Sequence, residues 1–162
     1  MDKAPRNTDK KERTIRMIAQ NRKARHEFEI LYTVEAGIAL TGTEVKSLRQ
    51  GKCNFQDSYA GFMSNISDQI TLFNFNIAVY EHGNRENHAP TRSRTLLVHA
   101  KEATKLRAAA QEKGLTIIPL ALYFSGAYVK VELGVARGKK LYDKREDLKN
   151  RQVEREMRRE SK

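Results

Sequence analysis

Apolar and polar positions along this chain change their period several times, and each change marks an element. Phe28–Val34 is dense in aromatic and β-branched residues and predicts a strand. Gly37 interrupts it, and Ile38–Leu40 resumes the extended chain. Ser58–Met63 and Gln69–Val79 also read as strands. Within the second, the apolar positions pass from Ile70 and Leu72 to Phe73, Phe75, Ile77 and Val79, a change of face that predicts a bulge or barrel bend. Thr95–Val98 is a short strand. Leu115–Phe124 is a longer apolar run in which Pro119 removes a ladder donor, so that residue belongs at an edge or a bulge. Ser125-Gly126 predicts a two-residue hairpin turn. Tyr128–Val135 then alternates, with Val129, Val131 and Leu133 on one face and Tyr128, Lys130 and Glu132 on the other.

Two segments carry helical spacing within this framework. In Thr41–Arg49, Thr43 is the expected N-cap, Val45 and Leu48 face inward, and Gly51 stops the chain. Lys101–Lys113 presents Ala103, Leu106, Ala109 and Ala110 as a stripe, with Gly114 as its cap. Between the strands, residues 80–95 form a long polar segment, and loops of that length usually carry function. About six short strands joined by hairpins, with two helices, predict a mainly β fold with short helices. The expected form is an antiparallel β-barrel of the oligonucleotide-binding type.

Both ends depart from that pattern. Arg13–Gln20 places Ile15, Ile18 and Ala19 at helical spacing but is too short to hold as a helix alone, so residues 1–20 read as a flexible basic arm. Residues 139–162 contain no Gly or Pro and abound in Lys, Arg and Glu. Their apolar residues Leu141, Leu148 and Met157 are too sparse for a core face. The tail is therefore expected to be disordered alone and to become helical on a surface that orders it, reaching about 36 Å. The organisation expected is an arm over 1–20, a barrel over 21–138 and a tail over 139–162.

Charge follows the same division. Residues 1–25 hold nine Lys/Arg against three Asp/Glu, and residues 137–162 hold eleven against six. Residues 26–136 hold eleven of each, so the net +11 resides in the two ends. A neutral platform with basic extensions suits a polyanion, and phosphate contacts that release counterions make nucleic acid the natural partner. Membrane is the rival for a basic chain, but no 18-residue apolar run, apolar leader or lipidation signal is present. Cys53 is the one cysteine, so no intramolecular disulfide forms and a reducing cytoplasm is expected.

Candidate contacts follow from clustering. Asn21, Arg22, Lys23 and Arg25, with His26, put three cations within four residues beside an amide and an imidazole. Arg85, His88, Arg92 and Arg94 lie in the long polar segment. Lys139, Lys140, Lys144 and Arg145 surround Tyr142, an aromatic ring able to stack on a base. Catalysis is not expected. The four His lack zinc spacing, no Gly-rich phosphate loop occurs, and Cys53 reads as a core thiol. No cofactor and no metal are expected.

Longer strings sharpen this picture. They are Asn21-Arg22-Lys23-Ala24-Arg25-His26, then Glu35 through Arg49, Gly51-Lys52 and Asp57-Ser58-Tyr59. Asn87 through Arg94 and Val129 through Arg145 complete the set. In this order, over about 21–155, the chain resembles the SsrA-binding protein (small protein B) family. The resemblance implies a protein that binds the tRNA-like domain of transfer-messenger RNA and delivers it to stalled 70S ribosomes. Trans-translation, meaning ribosome rescue and tagging of incomplete proteins, follows there. It implies a monomer that replaces the missing anticodon arm and acts in the cytoplasm. It further implies that Glu35, Leu97 and His99 contact RNA. Lys139, Lys140, Tyr142, Asp143, Lys144 and Arg145 would act in the empty message channel and on decoding-centre rRNA. Ala89 stands where the family usually has an acidic residue and Thr95 where a Lys is common. The rival classes are a structural ribosomal protein and a general single-strand RNA-binding module. Both would also be basic and barrel-shaped.

Overall fold

The computed structural model describes residues 14–139 and 141–160, with only the backbone of 141–144. The first 13 residues of the expected arm lie outside the described residues, as does Lys140. The described chain is mainly β. It runs β1 (Ile15–Gln20), α1 (Arg22–Glu27), β2 (Phe28–Ile38), α2 (Gly42–Arg49), β3 (Cys53–Asn54), β4 (Tyr59–Phe62), β5 (Ile70–Phe73) and β6 (Asn76–Ile77). It continues β7 (Arg94–Leu97), α3 (Ala100–Gln111), β8 (Leu115–Ser125), β9 (Tyr128–Gly138) and α4 (Leu141–Glu160). A single 3₁₀ turn lies at Asn84–Glu86.

The strands pair antiparallel in the order β1-β8-β4-β5-β7-β2-β9, and β9 pairs back onto β8. Six of them therefore form a closed ring, with β1 outside it. The hairpin β8–β9 is the spine. Its two-residue loop is Gly126-Ala127, one position later than expected, because Ser125 pairs with Tyr128 and Gly126 takes the positive φ of 62° that the turn needs. Pro119 sits beside a bulge: the β8–β9 register shifts between Pro119 and Ala121, as its missing N–H anticipates.

Ile15–Gln20 corrects the reading of the whole N-terminal segment as a flexible arm. β8 is longer than its ring neighbour. β4 pairs with it only at Ile117, and β1 takes the ladder from Ala121 to Ser125 that is left open. An open β edge is a strong template for a further strand, and it overrides a weak helical spacing. Gln69–Val79 is likewise two strands, not one. Asn74 takes φ 57° and turns the chain between β5 and β6, and β6 then pairs with β3 in a separate two-stranded sheet.

The main core fills the ring with Val34, Ala36, Ile70, Leu72, Phe75, Leu96, Ile117, Leu122, Val131, Leu133 and Val135, closed by Leu48 of α2 and Leu106 of α3. A second, smaller core lies under α1, where Ala24 packs with Ile118, Leu120 and Ala136, flanked by Phe28 and Ile30. This is why β9 is buried on both faces near Gly134. A Cβ on Gly134 would stand 2.7 Å from Leu120 Cδ1. Asn21 caps α1: its Oδ1 accepts from Ala24 N–H at 3.2 Å. The Asn21 N–H donates to Leu120 O at 2.7 Å and its Nδ2 to Pro119 O at 2.9 Å, which ties the helix to the β8 bulge.

Leu141–Glu160 form a continuous helix, α4. Helix-forming residues without Gly or Pro favour it, as do pairs such as Glu154–Arg158 at 3.2 Å.

Candidate nucleic-acid interface

Register on the outer face of β8–β9–β2 assembles a polar row. Glu35 lies opposite Glu132, and Tyr123 lies opposite Lys130, whose other neighbour is Gly37. Because Gly37 has no side chain, the Tyr123–Lys130 row ends beside Leu97, whose Cβ would stand 3.4 Å from a Cβ on Gly37. The result is a hollow of about 560 Å³ lined by Glu35, Gly37, Leu97, His99, Tyr128 and Lys130, among others. So the structure brings together Glu35, Leu97 and His99, which come from β2, the end of β7 and the start of α3. Leu97 is 62% exposed, an apolar side chain standing in a polar wall.

The carboxylate of Glu35 accepts a hydrogen bond from the Tyr123 hydroxyl on Oε2, while Lys130 Nζ stands 3.9 Å from Oε1. Burial raises the Tyr123 hydroxyl above its ordinary pKa. The bond to Glu35 and the negative charges of Glu35 and Glu132 push it the same way, so the phenol is a firm proton donor. Lys130 lies in the Val129–Arg145 string without being singled out, and Tyr123 lies in none. Lys130 was legible as an outward position of the β9 alternation, and Tyr123 only through cross-strand register.

α1 continues this surface. Arg25 pairs with Glu132 at 3.7 Å and Lys23 with Glu27 at 3.8 Å. These pairs are largely exposed and hold weakly, so both cations can exchange their partner for phosphate at little cost. Arg22 is exposed. The Asn21 side chain is different. Its oxygen and nitrogen are committed to the α1 cap and to the β8 bulge, so its part is to anchor the helix rather than to clamp phosphate.

The long polar segment gives the largest correction. Arg94 is fully buried, and His88 is 8% exposed, so neither reaches RNA. Both hold the segment in place. Glu44, also fully buried, accepts from Thr41 N–H at 2.9 Å, from Arg92 Nε at 2.7 Å and Nη2 at 2.6 Å, and from Arg94 Nε at 2.8 Å. Arg94 also donates to the carbonyls of Phe75, Arg92 and Pro90. His88 bridges Thr43 Oγ1 and the Ile77 carbonyl, each at 2.9 Å. Burial acts to raise the Glu44 carboxyl, but the bonds from Arg92 and Thr41 and the charge and bond of Arg94 outweigh it and hold it below its ordinary pKa. Burial conversely lowers the Arg94 guanidinium, with Glu44 opposing. Sequence reasoning missed Glu44 as the hub. Its signal was the spacing Thr41-x-x-Glu44, a capping box, which puts the N-cap at Thr41 rather than Thr43. Arg92 remains partly exposed beside the hub, and Arg85 is exposed.

The tail starts next to α1. Lys139 N–H donates to Glu27 O at 3.0 Å, and its ammonium pairs with Asp147. Arg145 is exposed. The side chains of Tyr142, Asp143 and Lys144 lie outside the described residues. Among the described residues, no cluster of three or more His, Cys, Asp or Glu could hold a metal ion, and no helix is long and apolar enough to cross a membrane.

Comparisons with known proteins bear directly on this arrangement. The family model described as SmpB protein matches residues 18–162. An SsrA-binding protein from Carboxydothermus hydrogenoformans is 51% identical over 142 residues, 88% of this chain and 93% of the relative. One from Magnetococcus marinus is 53% identical over 146 residues, 90% and 95% of the respective chains. A solved structure reported as "tmRNA-SmpB: a journey to the center of the bacterial ribosome" superposes with a TM-score of 0.65 at 51% identity, covering 76% of this chain and 85% of that one. With the family model matching residues 18–162 and relatives of this identity and coverage, the chain belongs to the SmpB protein family of SsrA-binding proteins.

Proposed function

We propose that this protein binds the tRNA-like domain of transfer-messenger RNA and delivers it to stalled bacterial ribosomes for trans-translation. The observation that carries the reading is the single surface on which the Glu35 hollow adjoins the exchangeable cations of α1. A carboxylate cannot neutralise phosphate. In an RNA site it accepts from a base amino or imino group, which is readout, while Arg22, Lys23 and Arg25 supply affinity. The names of the SsrA-binding proteins and of the solved tmRNA-SmpB structure support the partner RNA and the bacterial ribosome as the place of action, and in this reading the protein works in the cytoplasm.

The closed ring is an oligonucleotide-binding-type barrel in this reading, and the RNA-binding unit spans 21–138 with β1 laid on its edge. Glu35, Leu97 and His99 contact the RNA. Residues 139–162 act separately, in the empty message channel and at the decoding centre, through Lys139, Lys140, Tyr142, Asp143, Lys144 and Arg145. Beyond Lys139 and Asp147, α4 has little packing against the barrel and is mostly exposed. An isolated charged helix of this kind is marginal in water, so the tail frays when free and firms up when ribosomal RNA supplies counter-charge.

The test compares filter binding of a tRNA-like transcript with that of an unstructured strand of equal length across a salt series. The reading requires a clear preference for the folded RNA and a steep salt slope. Equal affinity for both would favour a general single-strand module instead.

A further inference from the structure

Glu35 lies in a mobile class of side chain on an exposed strand position, and readout of a base edge needs it held in one rotamer. The structure supplies the restraint from two strands away. Tyr123 and Glu35 sit in adjacent rows of the sheet, on β8 and β2, and the phenol reaches across β9 to donate to Oε2. Lys130 stands 3.9 Å from Oε1, beyond hydrogen-bond reach, so Oε1 keeps its acceptor capacity. The groups facing Glu35 are thus one neutral donor and one ammonium, with Glu132 alongside and balanced by Arg25 at 3.7 Å.

We propose that Tyr123 is the positioning residue for RNA recognition. Its hydroxyl fixes Glu35 through Oε2 so that Oε1 accepts from the exocyclic amino or ring imino group of an unpaired nucleobase seated in the hollow. The proposal rests on the reading of that hollow as the RNA site. Two features fit a base there. The hollow's volume of about 560 Å³ exceeds that of a single base, and Leu97 with the rings of His99 and Tyr128 offers flat or apolar surface beside the carboxylate. A positioned acceptor discriminates bases because a donor-poor edge leaves it desolvated and unpaired. The raised pKa of Tyr123 is consistent with a donor that keeps its proton at any physiological pH.

Filter binding of the full chain to a tRNA-like transcript tests this with Tyr123→Phe, Glu35→Ala and the double variant. Tyr123→Phe is expected to weaken binding by about five- to tenfold, and Glu35→Ala by at least about tenfold. The double variant is expected to match Glu35→Ala alone, because Tyr123 acts only through Glu35. Thermal melting of each variant checks that it folds. In the unaltered protein, NMR provides a second measurement: a slowly exchanging Tyr123 hydroxyl proton that shifts when the transcript is added and is lost in Glu35→Ala. Losses that multiply in the double variant would overturn the proposal, as would Tyr123→Phe binding like the parent or a hydroxyl resonance indifferent to RNA. If Glu35→Ala itself binds normally, the reading of the hollow falls and this proposal with it. If Glu35→Ala is impaired while Tyr123→Phe is not, only the positioning role falls.

Discussion

Glu44→Gln is isosteric, yet it should be among the most destabilising single changes in the strand ring. The carboxylate is fully buried with Arg94, and it accepts from both Arg92 and Arg94 and from the Thr41 N–H. Removing one partner of a buried pair costs about 3–5 kcal/mol, because the other charge stays buried without its counter-ion. Here the lower end applies. Arg94 keeps its bonds to the Phe75, Arg92 and Pro90 carbonyls, and a Gln oxygen still accepts from one donor. At about 2–4 °C per kcal/mol for a chain of this size, a 3 kcal/mol loss lowers Tm by about 6–12 °C. The pH dependence gives a second, independent arm. The folded Glu44 carboxyl lies below its ordinary 4.5. Its contribution is therefore fully present above about pH 4.5 and is lost as pH falls through the folded value. The gap between wild type and Glu44→Gln, measured by urea unfolding from pH 7 downward, should be widest near neutrality, narrow only once the pH is below the ordinary carboxyl value and close below the depressed folded one. Hydrogen exchange at residues 87–95 should rise in the variant even where the strand ring stays folded. A variant within about 1 kcal/mol of wild type at pH 7 would refute the hub, as would a gap that does not narrow on acidification.

Other changes probe the remaining parts. Gly37→Leu keeps an ordinary strand backbone and puts a Cβ 3.4 Å from Leu97 Cβ, so it should fold with little change in Tm while filling the hollow, and RNA affinity by filter binding should fall at least about tenfold. Gly134→Ala drives a methyl to 2.7 Å from Leu120 Cδ1 in the core under α1, and should cost about 1–3 kcal/mol by urea unfolding. Glu35→Lys adds a cation to a surface already favourable to phosphate; it should nevertheless bind the tRNA-like transcript worse, and tighter binding would reduce the hollow to an electrostatic patch. Ending the chain at Gly138 should leave Tm nearly unchanged and RNA affinity only modestly reduced, while a tagging assay on stalled ribosomes should fail. Tagging by the truncated chain would remove the function assigned to the tail.

Much of this protein was legible in its sequence. Where local signals and tertiary demand agree, the reading carries through: the β9 alternation, the Ala103–Leu106–Ala109 stripe and the bulge at Pro119 all follow from period and sterics acting over a few residues. The family resemblance also singled out Glu35, Leu97 and His99, and the structure lines one hollow with all three. What the sequence did not determine depends on partners far away in the chain. β1 exists because β8 outruns β4 and offers an open ladder, which no property of residues 15–20 announces. Arg92, Arg94 and His88 look like RNA contacts because isolated cations in a polar segment normally face water. The two arginines turn to Glu44, about fifty positions earlier, which is buried and requires donors, and His88 turns in to Thr43 and the Ile77 carbonyl. Tyr123 reaches Glu35 only because register sets their rows side by side across β9. Periodicity reports which face a residue takes, but the direction of a charged or polar side chain is settled by whether the fold brings it a buried partner. That decision belongs to the tertiary structure, since desolvating an unpaired charge costs more than any local preference can offset.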